Sequence, residues 1–204
     1  MSVRGEHADA SAAAEPFGAV LAGGAGRRIG GTKAIVELRG RPLLTYPLAA
    51  MTAALAEVAV IAKARTELPP LPGVMVWIEP SELSHPLVGI LHALAMAEGR
   101  AVVICAGDLP FVTPDVIAML ASANAGGAPA VIASGDGLEQ PLLGRYEPQA
   151  AEPLHALLQD TGIPLRKAVA EIGPRVLELE DPQVLFNIDA PEDLLQAAAL
   201  LDRR

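Results

Sequence analysis

Short, continuously apolar runs alternate with amphipathic stretches along most of the chain. Residues 17–21 and 101–105 are apolar or glycine throughout, which is typical of parallel strands that are covered on both faces. Further strands are predicted from similar runs at residues 58–62, 74–78, 130–133, 140–146 and 176–179. Residues 34–38 alternate weakly and are also predicted to be extended, and turns are predicted at residues 39–42 and 135–137.

The stretches between these runs have helical character. Helices are predicted at residues 42–55, 86–98, 113–124, 149–159, 165–172 and 190–201. Pro42 suits the first turn of the first helix, Thr113 suits the cap of the third, and Gly99 suits a C-terminal stop. Residues 187–189 are expected to close one more extended piece. Because strands alternate with helices, we predict an α/β fold, a single-domain three-layer sandwich with a mostly parallel, Rossmann-like sheet.

Composition limits the partners that this chain can have. Its 204 residues carry a formal net charge of -9, which argues against a general affinity for nucleic acid or anionic membranes. No apolar run approaches ~20 residues, and the N-terminus lacks a basic segment followed by an apolar core, so a cytoplasmic location is expected. The single cysteine, Cys105, fits a reducing compartment. Residues 1–16 lack periodicity and are predicted to be a disordered tail before a domain at residues 17–204.

The loop after the first predicted strand has the composition of a phosphate-binding site. Residues 22–34 contain five glycines, two arginines and one lysine. Glycine lets backbone N–H groups approach an anion, and the cations supply opposing charge. A Walker loop requires Gly-Lys-Ser/Thr to open a helix, whereas residues 31–33 (Gly-Thr-Lys) precede a strand-like segment. The glycine spacing does not match the Gly-x-Gly-x-x-Gly fingerprint of dinucleotide-binding folds. Lys63 and Arg65, after the second buried strand, suit a ribose 2′-phosphate, so NADP remains an alternative. The order of elements favours a long loop that wraps a nucleoside triphosphate, with Lys33 on its phosphates.

A carboxylate follows the second continuously apolar run. Ligands of parallel sheets bind at the carboxyl ends of the strands, so we expect Gly107 and Asp108 to share one edge with the glycine loop. Mg²⁺ typically takes one or two protein carboxylates and completes its shell with water and phosphate oxygens. Asp108 is therefore predicted to hold Mg²⁺ beside the triphosphate, and a simple turn role is the alternative.

Four ordered motifs resemble those of the molybdenum cofactor guanylyltransferases, within the nucleotidyltransferase superfamily. The similarity covers residues 17–201. Its motifs are Leu-Ala-Gly-Gly-x-Gly-x-Arg-Ile-Gly-x-x-Lys-Ala at 21–34, Pro-Leu-x-Gly at 86–89, Gly-Asp-Leu-Pro-Phe at 107–111 and Asn-Ile-Asp-x-Pro-Glu-Asp-Leu at 187–194. Gly24 is typical of the guanylyl branch, since the cytidylyl branch more often has alanine there.

The resemblance implies an Mg²⁺-dependent transfer of GMP from GTP. The terminal phosphate of molybdopterin, carrying molybdenum, attacks the α-phosphorus, and pyrophosphate leaves. Apo-molybdoenzymes or their chaperones are the further partners that it implies. Together with the loop chemistry, it assigns catalysis to Lys33, Arg27, Arg28 and Asp108. It assigns the nucleotide to Leu21, Ala22, Gly23, Gly24, Gly26, Lys33, Glu79 and Asp108, the acceptor to Asn187, Asp189 and Arg166, and the metal to Asp108.

Several positions depart from the family pattern. Glu79 stands where an Asp serves the nucleoside, and His85 stands where a glycine usually precedes the Pro-Leu motif. Ala62 replaces an Asn, and Asp189 replaces the second Asn of an Asn-x-Asn. Because these changes concern the base and the acceptor, three alternatives stay open: a cytidylyltransferase, a transferase with another phosphorylated acceptor and a non-catalytic molybdopterin carrier. The NADP oxidoreductase stays open because of Lys63 and Arg65.

Overall fold

The structure is a computed structural model that describes residues 14–23, 33–80, 83–159 and 162–203. The predicted disordered tail falls mostly outside the described residues, and so does the middle of the glycine loop, residues 24–32. The elements in chain order are β1 (Phe17–Leu21), β2 (Glu37–Leu38), β3 (Arg41–Pro42), α1 (Thr45–Ala54), β4 (Val58–Ala62), β5 (Met75–Ile78), α2 (Pro86–Met96), β6 (Val102–Ala106), α3 (Pro114–Ser122), β7 (Ala130–Gly135), β8 (Leu138–Tyr146), α4 (Ala151–Leu158), α5 (Leu165–Glu171), β9 (Arg175–Glu178) and α6 (Pro191–Leu201).

A seven-stranded sheet forms the centre of the molecule. Its strand order is β5-β4-β1-β6-β8-β7-β9. Strand β8 runs antiparallel to both of its neighbours, and the other neighbouring pairs are parallel. Strands β7 and β8 form a hairpin through Asp136 and Gly137, which both have positive φ, as the predicted turn requires. The prediction of a mostly parallel sheet is confirmed.

Alternate side chains of the sheet point into two separate cores. On one face, Val20 and Val103 pack with residues of α1 and α3. On the other face, Ala19 and Ile104 pack with residues of α2, α4 and α5. Strands β1, β4 and β6 are buried along their whole length because helices cover both faces, which explains their continuous apolar runs. The three-layer α/β architecture follows from this arrangement and confirms the predicted fold class.

A short hairpin corrects the prediction that Pro42 begins a helix. Pro42 lies in β3, which pairs with β2 in an antiparallel two-stranded sheet. Arg39 and Gly40 form the connecting turn with φ values of 51° and 73°, a conformation that a two-residue hairpin requires and glycine adopts readily. Helix α1 begins only at Thr45, whose hydroxyl donates to the Pro42 carbonyl at 2.6 Å. The turn chemistry therefore outweighed the helix-start preference of proline.

A third, smaller core joins this hairpin to the C-terminal helix. Buried Leu38, Leu43, Phe111, Ile188 and Ala197 form it. The expected extended piece before α6 is wrong. A 3-10 turn at Pro182–Leu185 is followed by irregular backbone, because the segment packs into this core instead of pairing with the sheet.

Cys105 is fully buried in β6, and burial raises the pKa of its thiol. None of the helices in the described ranges has the length and apolar composition needed to cross a membrane.

We expect Tyr146→Phe to destabilise the fold by about 1–2 kcal/mol, because its fully buried hydroxyl donates to the Pro141 carbonyl at 2.7 Å and the variant leaves that carbonyl without this donor. Urea unfolding measures the loss. Tyr46→Phe is the matched control, since its hydroxyl also donates to a carbonyl, that of Leu38, but is only partly buried. Equal losses in the two variants would contradict the importance of burial at Tyr146.

Candidate active site

The loops after β1 and β6 meet at the carboxyl edge of the sheet. The Gly107 N–H donates to the Leu21 carbonyl at 3.0 Å. A β-carbon added at Gly107 would lie only 2.9 Å from that same oxygen, so a glycine is required for the close approach. The two loops that the sequence singled out therefore share one edge, as the parallel pairing of β1 with β6 demands.

A cavity of about 430 Å³ opens along this edge. It extends across the carboxyl ends of four neighbouring strands, β5, β4, β1 and β6. Six of the predicted site residues are in its lining, namely Leu21, Ala22, Gly23, Lys33, Glu79 and Asp108. Gly24, Gly26, Arg27 and Arg28 lie outside the described residues, so their predicted roles stay predictions.

Lys33 and two carboxylates occupy one end of the cavity. The Lys33 ammonium donates to Asp108 Oδ2 at 2.8 Å and also to Asp189. Burial lowers the pKa of Lys33, but the Asp108 and Asp189 carboxylates raise it, and the net pKa lies above the ordinary lysine value. The side chain of Lys33 is 17% exposed and that of Asp108 is 21% exposed. One cation therefore faces two carboxylates, and this end carries net negative charge among these three groups.

The C-terminal segment is held in place against Asp108. The Ile188 N–H donates to the Asp108 carbonyl at 3.1 Å, and Ile188 itself is fully buried. The Asp193 carboxylate accepts from the N–H groups of Asp189 and Ala190, each at 2.8 Å, and so caps the first turn of α6. The Asn187 amide donates to the Asp189 carboxylate. These bonds hold the backbone around Asp189, and the Asn187 amide and the Lys33 ammonium both donate to its carboxylate.

A second ion pair occupies the other end of the cavity. Lys63 directly follows β4, and its ammonium donates to Glu79 Oε2 at 2.9 Å and to the Leu83 carbonyl at 2.8 Å. Glu79 directly follows β5, where its N–H donates to the Ala62 carbonyl at 2.8 Å. The exposed fractions of the two side chains are 15% for Lys63 and 6% for Glu79. The sequence connects Lys63 only with NADP, although its place at the end of the strand that precedes β5 is a signal for this pairing.

His85 forms part of the cavity wall and organises the start of α2. Its Nδ1 accepts from the Leu87 N–H at 3.2 Å, and its Nε2 lies 2.9 Å from the Ile163 carbonyl. A carbonyl needs a donor, so this pattern requires the neutral Nε2–H tautomer. His85 therefore caps the N-terminus of α2 at the cavity. On the same helix, His92 is half-buried, and burial lowers its pKa while the Glu79 charge opposes that shift.

The structure separates the predicted acceptor residues. Asn187 and Asp189 reach the site through Lys33, although neither is in the cavity lining. Arg166 is exposed on α5, which packs against the sheet face that also carries α2 and α4. Like Asn187 and Asp189, Arg166 does not belong to the described residues that line the cavity.

The carboxylates at the Lys33 end suit a magnesium ion. Asp108 and Asp189 both present oxygens to the same ammonium. Oxygen ligands from one or two carboxylates, completed by phosphate and water, are what Mg²⁺ prefers. The donor set of this chain therefore fits the metal that the resemblance implies.

The chain is similar in sequence to proteins of one family. A model of the MobA-like NTP transferase domain matches residues 18–176. A relative from Cereibacter sphaeroides named molybdenum cofactor guanylyltransferase is 33% identical over 91% of this chain and 96% of its own length. A protein from Thermococcus gammatolerans named probable molybdenum cofactor guanylyltransferase is 30% identical over 87% of this chain and 96% of its own.

Solved structures share the fold. A molybdopterin-guanine dinucleotide biosynthesis protein A from Archaeoglobus fulgidus superposes with a TM-score of 0.73 at 24% identity, covering 92% of this chain and all of that one. A 2-C-methyl-D-erythritol 4-phosphate cytidylyltransferase from Thermus thermophilus superposes with a TM-score of 0.67 at 22% identity, over 92% and 99% of the two chains. At these identities the likeness establishes the architecture alone.

We expect Asp108→Asn to lower the pKa of Lys33 in the metal-free, nucleotide-free protein, because burial then acts against fewer opposing charges. The chain has only three lysines, Lys33, Lys63 and Lys167, so NMR of ¹³C-methylated lysines resolves the titration. Asp136→Asn, in the exposed β7–β8 turn, is the control and leaves the pKa unchanged. A Lys33 pKa that does not move in Asp108→Asn would show that the two groups are not paired in solution.

Proposed function

The chain belongs to the MobA-like NTP transferase family and is a nucleotidyltransferase, and from this we propose that it transfers GMP from GTP to the terminal phosphate of molybdopterin. The names of the curated relatives support the guanylyl group and the molybdenum cofactor. Pyrophosphate is the leaving group in this proposal, and the guanine dinucleotide form of the cofactor is the product.

One observation carries the proposal in the structure. The Lys33 ammonium lies in the cavity between two carboxylates that come from distant parts of the chain. When a triphosphate enters, Lys33 can exchange carboxylate oxygens for phosphate oxygens at little cost, because its charge stays paired. Transfer of a nucleotidyl group needs little covalent help from protein and depends mainly on positioned positive charge. Lys33 would hold the phosphates in line for attack.

Asp108 would hold the Mg²⁺ ion that the family implies. Asp189, whose carboxylate accepts from the same Lys33 ammonium as Asp108, would assist in holding the ion. When bound, such an ion neutralises charge on the phosphate oxygens. The protein then has to orient the two substrates and keep their phosphates at the Lys33 end. Backbone N–H groups of the glycine loop are proposed to share this role.

A general base is unnecessary in this mechanism. The attacking group is a phosphate that is already ionised at neutral pH. Asn187 and Asp189 are proposed to face the acceptor, since α6 and the Lys33 contact fix their segment beside Asp108. Arg166 is proposed as an acceptor contact on charge grounds alone.

The NADP alternative loses its supporting observation. It rested on Lys63 and Arg65 as ligands for a ribose 2′-phosphate. Lys63 is instead paired with Glu79, and the family whose model matches residues 18–176 is one of nucleotide transferases.

We expect Asp108→Asn to lower turnover by ~10²–10³-fold, because the charge that holds the metal on the triphosphate is removed while the shape of the side chain is kept. Pyrophosphate release from GTP with Mg²⁺ and molybdopterin measures this. Circular dichroism and the midpoint of urea unfolding check the fold, and Asp136→Asn serves as the exposed control. Unchanged turnover in Asp108→Asn would remove Asp108 from the site.

The same assay tests the nucleotide. We expect GTP to support pyrophosphate release at least ~100-fold better than CTP or ATP at equal acceptor concentration, since a site built to hydrogen-bond one base rejects analogues that leave its polar groups unpaired. Faster release from CTP would make the chain a cytidylyltransferase. Binding of molybdopterin without release from any nucleotide would make it a carrier.

A further inference from the structure

His85 joins two parts of the molecule that the transfer chemistry described so far does not connect. Its ring is in the wall of the cavity, and its Nε2–H donates to the carbonyl of Ile163, 78 positions further along the chain. We infer that His85 is a positioning residue for the acceptor: it holds the start of α5, with the exposed cations Arg166 and Lys167, beside the cavity. The inference rests on the proposed function and extends it to a residue that the sequence motifs leave without a role.

Two hydrogen bonds fix the His85 ring, and each one leads to a different helix. On one side, Nδ1 accepts from the Leu87 N–H at 3.2 Å and caps α2. On the other side, Nε2 lies 2.9 Å from the Ile163 carbonyl. Ile163 is buried, and Pro164 follows it as the residue that precedes α5. The imidazole therefore bridges the first turn of α2 and the start of α5. A glycine at position 85, the residue that is usual in the family pattern, has no side chain to form this bridge.

The strand order places the start of α5 on the side from which an acceptor approaches. The cavity extends across the carboxyl ends of β5, β4, β1 and β6, and β8 is the next strand beyond β6. Helix α5 packs against β8, and the bond between His85 and Ile163 puts its first turn at the same edge as the cavity. In the proposed function, the acceptor meets the phosphates beside Asp108, which follows β6. The first turn of α5 is therefore on the acceptor side of the phosphates.

The charge of this turn explains why its position matters. Arg166 and Lys167 are both exposed at the start of α5, whereas the chain as a whole has a net charge of -9. A phosphorylated acceptor is an anion that this excess repels, so cations close to the transfer point favour its binding. Attraction between exposed charges is screened within about 8 Å at physiological salt, so a displaced turn attracts the acceptor less. A bridge that holds the turn in place thus acts on the acceptor more than on the nucleotide.

Two substitutions separate the two bonds of the ring. In His85→Asn, the amide oxygen takes the place of Nδ1 and keeps the cap on α2, but the side chain is too short to reach Ile163. In His85→Gln, the amide N–H takes the place of Nε2–H and keeps the bridge, but the cap is weakened. Pyrophosphate release measures both. We expect His85→Asn to raise the KM for molybdopterin by roughly 2- to 12-fold, the range of one neutral hydrogen bond, and to leave the KM for GTP unchanged. His85→Gln restores most of this loss.

Two further measurements test the route through α5. The Ala168 N–H donates to the Pro164 carbonyl at 3.0 Å in the first turn of this helix. Its hydrogen exchange is expected to become faster in His85→Asn and to stay near the natural rate in His85→Gln. In the double variant Arg166→Gln, Lys167→Gln, we expect His85→Asn to change the KM for molybdopterin by less than about 2-fold, because the turn then has no charge to displace.

Thr113→Ala is the matched control for the loss of a helix cap. The Thr113 hydroxyl accepts from the Val116 N–H at 3.4 Å and caps α3. Thr113 does not belong to the described residues that line the cavity. We expect this variant to be less stable in urea unfolding, as the loss of a cap predicts, and to keep both KM values.

The outcomes separate this inference from the proposed function. If no nucleotide supports pyrophosphate release in the natural protein, both fail. If GTP supports release and His85→Asn leaves the KM for molybdopterin unchanged, only this inference is overturned. Equal rises in the KM for GTP and for molybdopterin would also overturn it, because His85 would then act only on the cavity wall. A loss that His85→Gln does not reverse, or one that persists in full in the double variant, would show that α5 is not the route.

Discussion

The parallel pairing of β5, β4, β1 and β6 is the constraint on which the site depends. Parallel strands end at the same edge, so the residues that follow them are brought together whatever their distance in sequence. Lys63, Glu79 and Asp108 each follow one of these strands directly or within two residues. The sheet is held by continuous burial on both faces. Its core therefore fixes the spacing of the charged groups more firmly than any loop could.

The charges of the site are arranged in two groups with different character. At one end, Lys63 and Glu79 balance one another in a largely buried ion pair. At the other, one ammonium faces two carboxylates. Among these three groups the net charge is negative, so the two carboxylates suit a divalent cation, and Lys33 is the group that suits an anion.

The small third core connects the site to the C-terminus. Lys33 begins a 3-10 turn, Lys33–Ile35, that precedes the β2–β3 hairpin, and that hairpin packs with Ile188 and α6. Asp189, next to Ile188, reaches back to Lys33. The lysine and its second carboxylate are thus carried by one packed unit, which explains how residues 156 positions apart keep a stable contact.

The amino-acid sequence by itself determined the strands, the layers and the edge that carries the site, because runs buried on both faces are apolar throughout and parallel strands end together. It also pointed to Lys33 and Asp108, whose residue types suit phosphate and metal, and its resemblance to a known family pointed to Glu79. Only the tertiary structure decided three features. Pro42 entered a hairpin because the Arg39–Gly40 turn pairs Leu38 with Arg41. Residues 187–189 do not form a strand, because Ile188 is buried in the small third core. Lys63 forms an ion pair with Glu79, and Lys33 forms one with Asp189. Ion pairs depend on distance in space, which local sequence patterns do not encode.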